Sequence, residues 1–131
     1  MKVYLGGPIY NVSRKNATTW RAKAREKLEA MGHEVIDPNR RPYIPGNEKE
    51  IIDKDLEEIR ESDLLLSYVP EDVAMAGTPM EIFYASYVEK MPVYTFPHNP
   101  SPWIKHWSTL SFVSLDALLE HVESLRGVQE V

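Results

Sequence analysis

The chain has 131 residues, the usual size of one domain, and at this length roughly two thirds of the unfolded surface can be buried without disulfide or metal staples. It contains no cysteine, which excludes thiolate zinc sites, iron–sulfur ligation and cysteine nucleophiles. A formal net charge of -5 argues against the broad phosphate footprint of a nucleic-acid binder, and no apolar run approaches the ~20 residues of a membrane span. With Met1-Lys2-Val3 leading directly into a strand-like segment, these features predict a single cytoplasmic domain over residues 1–131.

In chain order, short β-branched or aromatic runs alternate with helical patterns, the signature of an α/β fold. Residues 2–5 read as a first strand, ended by Gly6-Gly7-Pro8. From 13 to 31 the apolar set Ala17, Trp20, Ala24, Leu28 and Met31 follows helical spacing, and Gly32 supplies the stop. A second strand over 33–36 closes at Asp37-Pro38. Residues 38–47 read as a rim loop carrying Arg40, Arg41 and Tyr43, followed by a helix over 48–62 whose core stripe is Ile52, Leu56 and Ile59.

Residues 64–69 are nearly all apolar, as in a central parallel strand buried on both faces. A loop over 70–77 leads to a helix over 78–89, and 92–96 is the next strand. Residues 97–107 read as a second loop, rich in proline and aromatic residues, followed by a strand near 111–113 and a last helix capped by Ser114. Right-handed crossovers turn this order into a flavodoxin-like three-layer sandwich, a parallel sheet of about five strands with helices on both faces. Ligands in such sheets lie beyond the C-terminal strand ends, near the switch in strand order. Loops 6–12, 37–47 and 70–80 should therefore share one rim.

The chain lacks G-x-G-x-x-G, G-x-x-x-x-G-K-[ST] and G-x-S-x-G, and its four histidines have no ligand spacing, so dinucleotide, ATP, serine-hydrolase and metal chemistry are disfavoured. Gly77-Thr78-Pro79-Met80-Glu81 has two readings. As a capping box, Thr78 is the N-cap, Pro79 the first helical residue and Glu81 the reciprocal partner. As a functional group, Glu81 is a carboxylate held ionised in a first helical turn at the ligand rim, which covalent glycosyl transfer requires. Asp55, one place before the core-facing Leu56, is either a solvated charge or a partner pointing along the sheet toward that rim.

Lys2-Val3-Tyr4-Leu5-Gly6-Gly7-Pro8-Ile9-Tyr10, then Asp55-Leu56, then Asp63-Leu64-Leu65-Leu66, then Gly77-Thr78-Pro79-Met80-Glu81 resemble the nucleoside 2-deoxyribosyltransferase family over about residues 1–96. The resemblance implies cleavage of the N-glycosidic bond of 2′-deoxynucleosides and transfer of the deoxyribosyl group to another base, with no metal or organic cofactor. It implies that Glu81 attacks C1′, that Asp55 assists proton transfer to the base, and that Tyr4 orients Glu81. Substrate contacts are implied for Gly6, Gly7, Pro8 and Tyr10 in the first loop, and for Asp72, Gly77, Thr78 and Met80 in the later one. The family often carries an aspartate shortly before Gly-Thr, where this chain has Met75-Ala76 with Asp72 further back.

A related branch, the deoxynucleotide N-hydrolases, recognises a 5′-phosphate and releases free base. Its first loop resembles Gly-Ser-Ile-Arg and a serine stands where this chain has Met75, so two phosphate ligands are missing here and the transferase is preferred. Arg40-Arg41 is where a phosphate would otherwise be held. A non-catalytic nucleoside- or nucleotide-binding module is the remaining alternative. Trp103 and Trp107 are candidates for a subunit interface or base stacking. Because the family's neighbouring chains complete each other's sites, the resemblance implies a homodimer or higher homo-oligomer.

Overall fold

Strand β1 (Lys2–Gly6) is an interior strand, its neighbours covering it on both edges: the computed structural model, which describes residues 1–9, 12–40 and 44–125, pairs it with β2 (Glu34–Ile36) on one side and with the central strand β3 (Leu64–Tyr68) on the other. β4 (Val93–Phe96) and β5 (Leu110–Ser111) complete a five-stranded sheet of order β2-β1-β3-β4-β5, with every pairing parallel. The α/β, flavodoxin-like topology is thus the one expected, with the order reversing between β1 and β3.

Alternation along the strands sorts side chains to the two faces. Val3, Leu5, Leu64, Leu66, Tyr94 and Phe96 face α1 (Arg14–Ala30) and α5 (Leu115–Ser124). Tyr4, Leu65 and Val93 face the other layer, formed by Ile59 of α2 (Glu48–Arg60), Ile82 of α3 (Gly77–Phe83) and Ile104 of α4 (Pro102–Trp107). Ser13 caps α1 by accepting from the Asn16 N–H at 3.0 Å, and Ser114 caps α5 by accepting from Ala117 at 3.1 Å.

Four local expectations are corrected. Residues 97–107 are not all loop: α4 forms because Ser101 supplies a side-chain cap and Pro102 occupies a first-turn position that needs no donor, while Ile104 gives the helix an apolar anchor. Trp103 and Trp107 are therefore helical. Residues Pro38–Arg40, expected as loop, form one 3₁₀ turn. Ile52 does not join the α2 core stripe; it is 56% exposed, and burial falls on Ile59 with Leu56 partly buried. The last strand lies at Leu110–Ser111, slightly before the expected position, where Phe112 N–H donates to Thr95 O at 2.8 Å.

The helix expected over 78–89 is present in two parts. α3 starts at Gly77 with Ala76 at its N-cap and no side-chain cap, so Thr78 lies inside the first turn and is buried. It is not the cap that the capping-box reading required. From Tyr84 to Val88 the helix widens into a π-turn, which Glu89 N–H closes onto Tyr84 O at 3.1 Å.

Candidate active site

A cavity of about 390 Å³ opens at the C-terminal ends of β1 and β3, where the strand order reverses. Its walls come from the three loops expected to converge, through Gly7, Pro8 and Ile9, then Pro38 and Asn39, then Ala74, Met75 and Ala76. α2 adds Glu48, Ile51, Ile52 and Asp55, and α3 adds Gly77 and Thr78 from its first turn and Glu81 from the second, so the carboxylate is not at the helix start where it was expected. The lining is mixed, with aliphatic side chains beside three carboxylates.

Glu81 is held from beneath. Tyr4, fully buried on β1, donates its hydroxyl to Glu81 Oε2 at 3.1 Å. The contact spans 77 positions of sequence and exists because β1 runs under α3 with Tyr4 on the α3 side. Glycine at position 6 keeps the approach open: a Cβ there would lie 3.2 Å from Leu65 Cδ1, 3.4 Å from Ser67 Oγ and 3.6 Å from Glu81 Oε1. Gly7 serves packing, because its Cβ would come within 2.9 Å of Trp20 Cζ2.

Arg21 is the residue the sequence reading missed. Its side chain is essentially buried at the cavity floor, where Nη1 donates to Leu5 O at 2.7 Å and to Asp37 Oδ1 at 3.1 Å, and Nη2 donates to Gly7 O at 2.9 Å. Its Cζ lies 4.8 Å from the centroid of the Trp20 ring. Burial pushes its pKa below the ordinary arginine value, while Asp37, and more weakly Tyr4 and Glu81, pull it back up. The signal was present: 17, 21, 24 and 28 lie on one helical face, so a charge at 21 falls among core positions and demands a buried partner.

The other expected site residues separate. Gly7, Pro8, Gly77, Thr78, Asp55 and Glu81 line the cavity, with Tyr4 and Gly6 beneath it. Met80 does not; it is 69% exposed and lines a second groove with Phe83, Trp103 and Trp107 on the far side of α3. Trp103 and Trp107 therefore stand away from the cavity. Asp72 is exposed and absent from the cavity wall. Tyr10 and Arg41 lie outside the described residues, as does the side chain of Arg40. Among the described residues no three His, Asp or Glu side chains come together to hold a metal ion, and no helix is long and apolar enough to cross a membrane.

The family model described as nucleoside 2-deoxyribosyltransferase like matches residues 1–98. The chain belongs to the nucleoside 2-deoxyribosyltransferase-like family. It is an enzyme of N-glycosidic chemistry, a transferase or a related hydrolase. No curated protein matches it in sequence. Among solved structures it is similar to the 2-deoxyribosyltransferase of Bacillus psychrosaccharolyticus, at TM-score 0.70 and 24% identity over 91% of this chain and 90% of that one. A CMP N-glycosidase of Clostridium botulinum matches at TM-score 0.65 and 17% identity, over 94% and 99% of the two chains. A Leishmania mexicana 2-deoxyribosyltransferase matches at TM-score 0.65 and 16% identity, over 92% and 97%. At these identities the structural likenesses speak to the fold that this family member shares with them.

Proposed function

We propose that the chain cleaves the N-glycosidic bond of 2′-deoxynucleosides through a covalent deoxyribosyl–Glu81 intermediate and passes the deoxyribosyl group to an acceptor base. The observation that carries this reading is the Tyr4–Glu81 hydrogen bond at the floor of a cavity that Asp55 also lines. A carboxylate so held is oriented before substrate arrives, and its charge favours an oxocarbenium-like transition state at C1′. In the first step a Glu81 oxygen bonds to C1′ while the C1′–N bond breaks, its electron pair leaving with the base. Asp55 supplies a proton to that base. In the second step a ring nitrogen of the acceptor base bonds to C1′, the C1′–O bond to Glu81 breaks, and the acceptor's proton returns to Asp55.

The test is incubation with deoxyadenosine, deoxyinosine, thymidine and their 5′-monophosphates, with and without a second free base, followed by chromatography. Base exchange dependent on the acceptor is expected, with Glu81→Ala inactive. Release of base without an acceptor identifies the hydrolase instead, because water then reaches the same intermediate. Full activity in Glu81→Ala overturns the reading, and saturable binding without any product identifies a binding module.

The same proposal includes a homo-oligomer. Support comes from the far side of α3, where Met80, Phe83 and Trp103 line one groove with Tyr87 stacked on Phe83, leaving large apolar side chains exposed, Trp103 by 73%. Thr78 and Glu81 face the cavity while Met80 and Phe83 face this groove, so a second copy docking there would brace the helix that carries the nucleophile. Light scattering should show a dimer or larger assembly that Trp103→Glu weakens. A monomer at working concentration overturns it.

A further inference from the structure

Ser67 is fully buried on β3, and its hydroxyl has no hydrogen-bond partner among the described residues. Burying a hydroxyl unpaired is unfavourable, and alanine would fill the same place without that cost. The position of the hydroxyl bears on its use. Ser67 pairs in register with Gly6, and strand alternation points both toward the α3 face of the sheet, as it does Tyr4. A Cβ built at Gly6 would touch Ser67 Oγ at 3.4 Å and Glu81 Oε1 at 3.6 Å, so the hydroxyl and that carboxylate oxygen flank one small gap kept open by glycine. Tyr4 holds the other oxygen, Oε2, from the neighbouring position on β1.

The geometry points to Ser67 as a positioning residue, a second hydroxyl donor held in reserve for the Oε1 side of the Glu81 carboxylate. The inference rests on Glu81 being the nucleophile. When the C1′–O bond of the glycosyl–enzyme breaks, its electron pair returns to Glu81 and negative charge spreads over both carboxylate oxygens. Tyr4 meets the share on Oε2, and a change of the Ser67 rotamer that carries Oγ across the gap meets the share on Oε1. Donors aimed where charge develops act most strongly in a buried, low-dielectric site. The donor therefore matters more for release of the intermediate than for its formation.

The experiment compares wild type, Ser67→Ala and Ser67→Cys in the full chain, measuring kcat, KM, the melting temperature, and the fraction of covalent deoxyribosyl–enzyme by intact mass at saturating nucleoside. For Ser67→Ala the expected result is a kcat lower by roughly tenfold, a lower KM, more trapped intermediate, and a melting temperature unchanged or raised. Ser67→Cys, with a weaker donor of similar shape, should fall between. A structural role predicts the reverse pattern, with loss of stability and no change in the kcat-to-KM relation. Wild-type kcat and intermediate level in both variants overturn the inference while leaving Glu81 chemistry standing. A wild-type chain with neither exchange nor release overturns both.

Discussion

Arg21 Nη1 stands 3.1 Å from Asp37 Oδ1, and the pair is buried, with side-chain exposures of 1% and 8%. One guanidinium thereby joins α1 to the end of β1 and to the residue that follows β2. These are the elements whose ends form the cavity floor. A buried pair of this kind contributes little net stability relative to an apolar pair, but it is costly to break from one side.

Arg21→Met leaves the Asp37 carboxylate and the Leu5 and Gly7 carbonyls without this donor, and should cost about 3–5 kcal/mol. Asp37→Asn keeps the shape and one acceptor, and should cost about 1–3 kcal/mol. Urea unfolding monitored by circular dichroism reads both. Equal midpoints for Arg21→Met and wild type would contradict the account of the pair.

Adjacent glycines should respond differently. Gly7→Ala places a methyl 2.9 Å from Trp20 Cζ2 at a backbone φ of +154°, where side chains are rarely accommodated. It should lower stability by about 1–3 kcal/mol. Gly6→Ala meets only contacts of 3.2 Å or longer, one of them with Glu81. It should fold, with Leu65 giving way slightly, yet lose activity because the methyl fills the gap between Ser67 Oγ and Glu81 Oε1. Melting temperature and kcat measured together distinguish the two effects, and matched losses in both variants would not fit.

Tyr4→Phe removes the hydroxyl that donates to Glu81 Oε2. A hydrogen bond to a charged group contributes roughly 1.5–3 kcal/mol, so kcat should fall about 10–100-fold if the bond persists into the transition state. The ring still fills its place in the core, so the chain should remain folded. Unchanged kcat would remove Tyr4 from the catalytic arrangement.

Tyr84 donates its hydroxyl to Glu89 Oε1 at 2.6 Å across the π-turn, and this bond, with desolvation and the Glu89 charge, raises the phenol's pKa above its ordinary value. A folded-state pKa above the unfolded one means that the contribution to stability is present in full below about pH 10. It is lost as pH rises through the higher folded value. Tyr84→Phe should therefore be less stable than wild type at pH 8, and the difference should shrink above pH 10. Thermal melts across that range test the sign, and a difference that grows with pH would contradict it.

Much of this molecule was legible from spacing. The alternation of helical and strand-like segments, the apolar run over 64–69 and the expectation of right-handed crossovers led to the observed strand order, because each depends on local periodicity and chain connectivity. Tyr4, Asp55 and Glu81 were singled out through motifs that resemble one family, and the structure brings Asp55 and Glu81 to one cavity with Tyr4 beneath it. α4 was also within reach of local rules, since Ser101-Pro102 is an N-terminal signal. Its proline and aromatic content concealed it.

By itself, then, the sequence determined the layer architecture, the loops that meet at the rim and the residue types available there, since these follow from periodicities of two and 3.6 residues and from turn chemistry. Only the tertiary structure decided what each polar group does. The capping-box pattern at Thr78 and Glu81 is a local possibility, but α3 begins at Gly77 and Glu81 meets a tyrosine 77 positions away. Helical spacing puts Arg21 among the core positions of α1, but its partners, the Leu5 and Gly7 carbonyls and Asp37, come from other elements. Ser67 drew no notice within an apolar strand until Gly6, in register beside it, put its hydroxyl and Glu81 around one gap. Such pairings depend on strand register and helix placement, which long-range packing sets and local spacing does not encode.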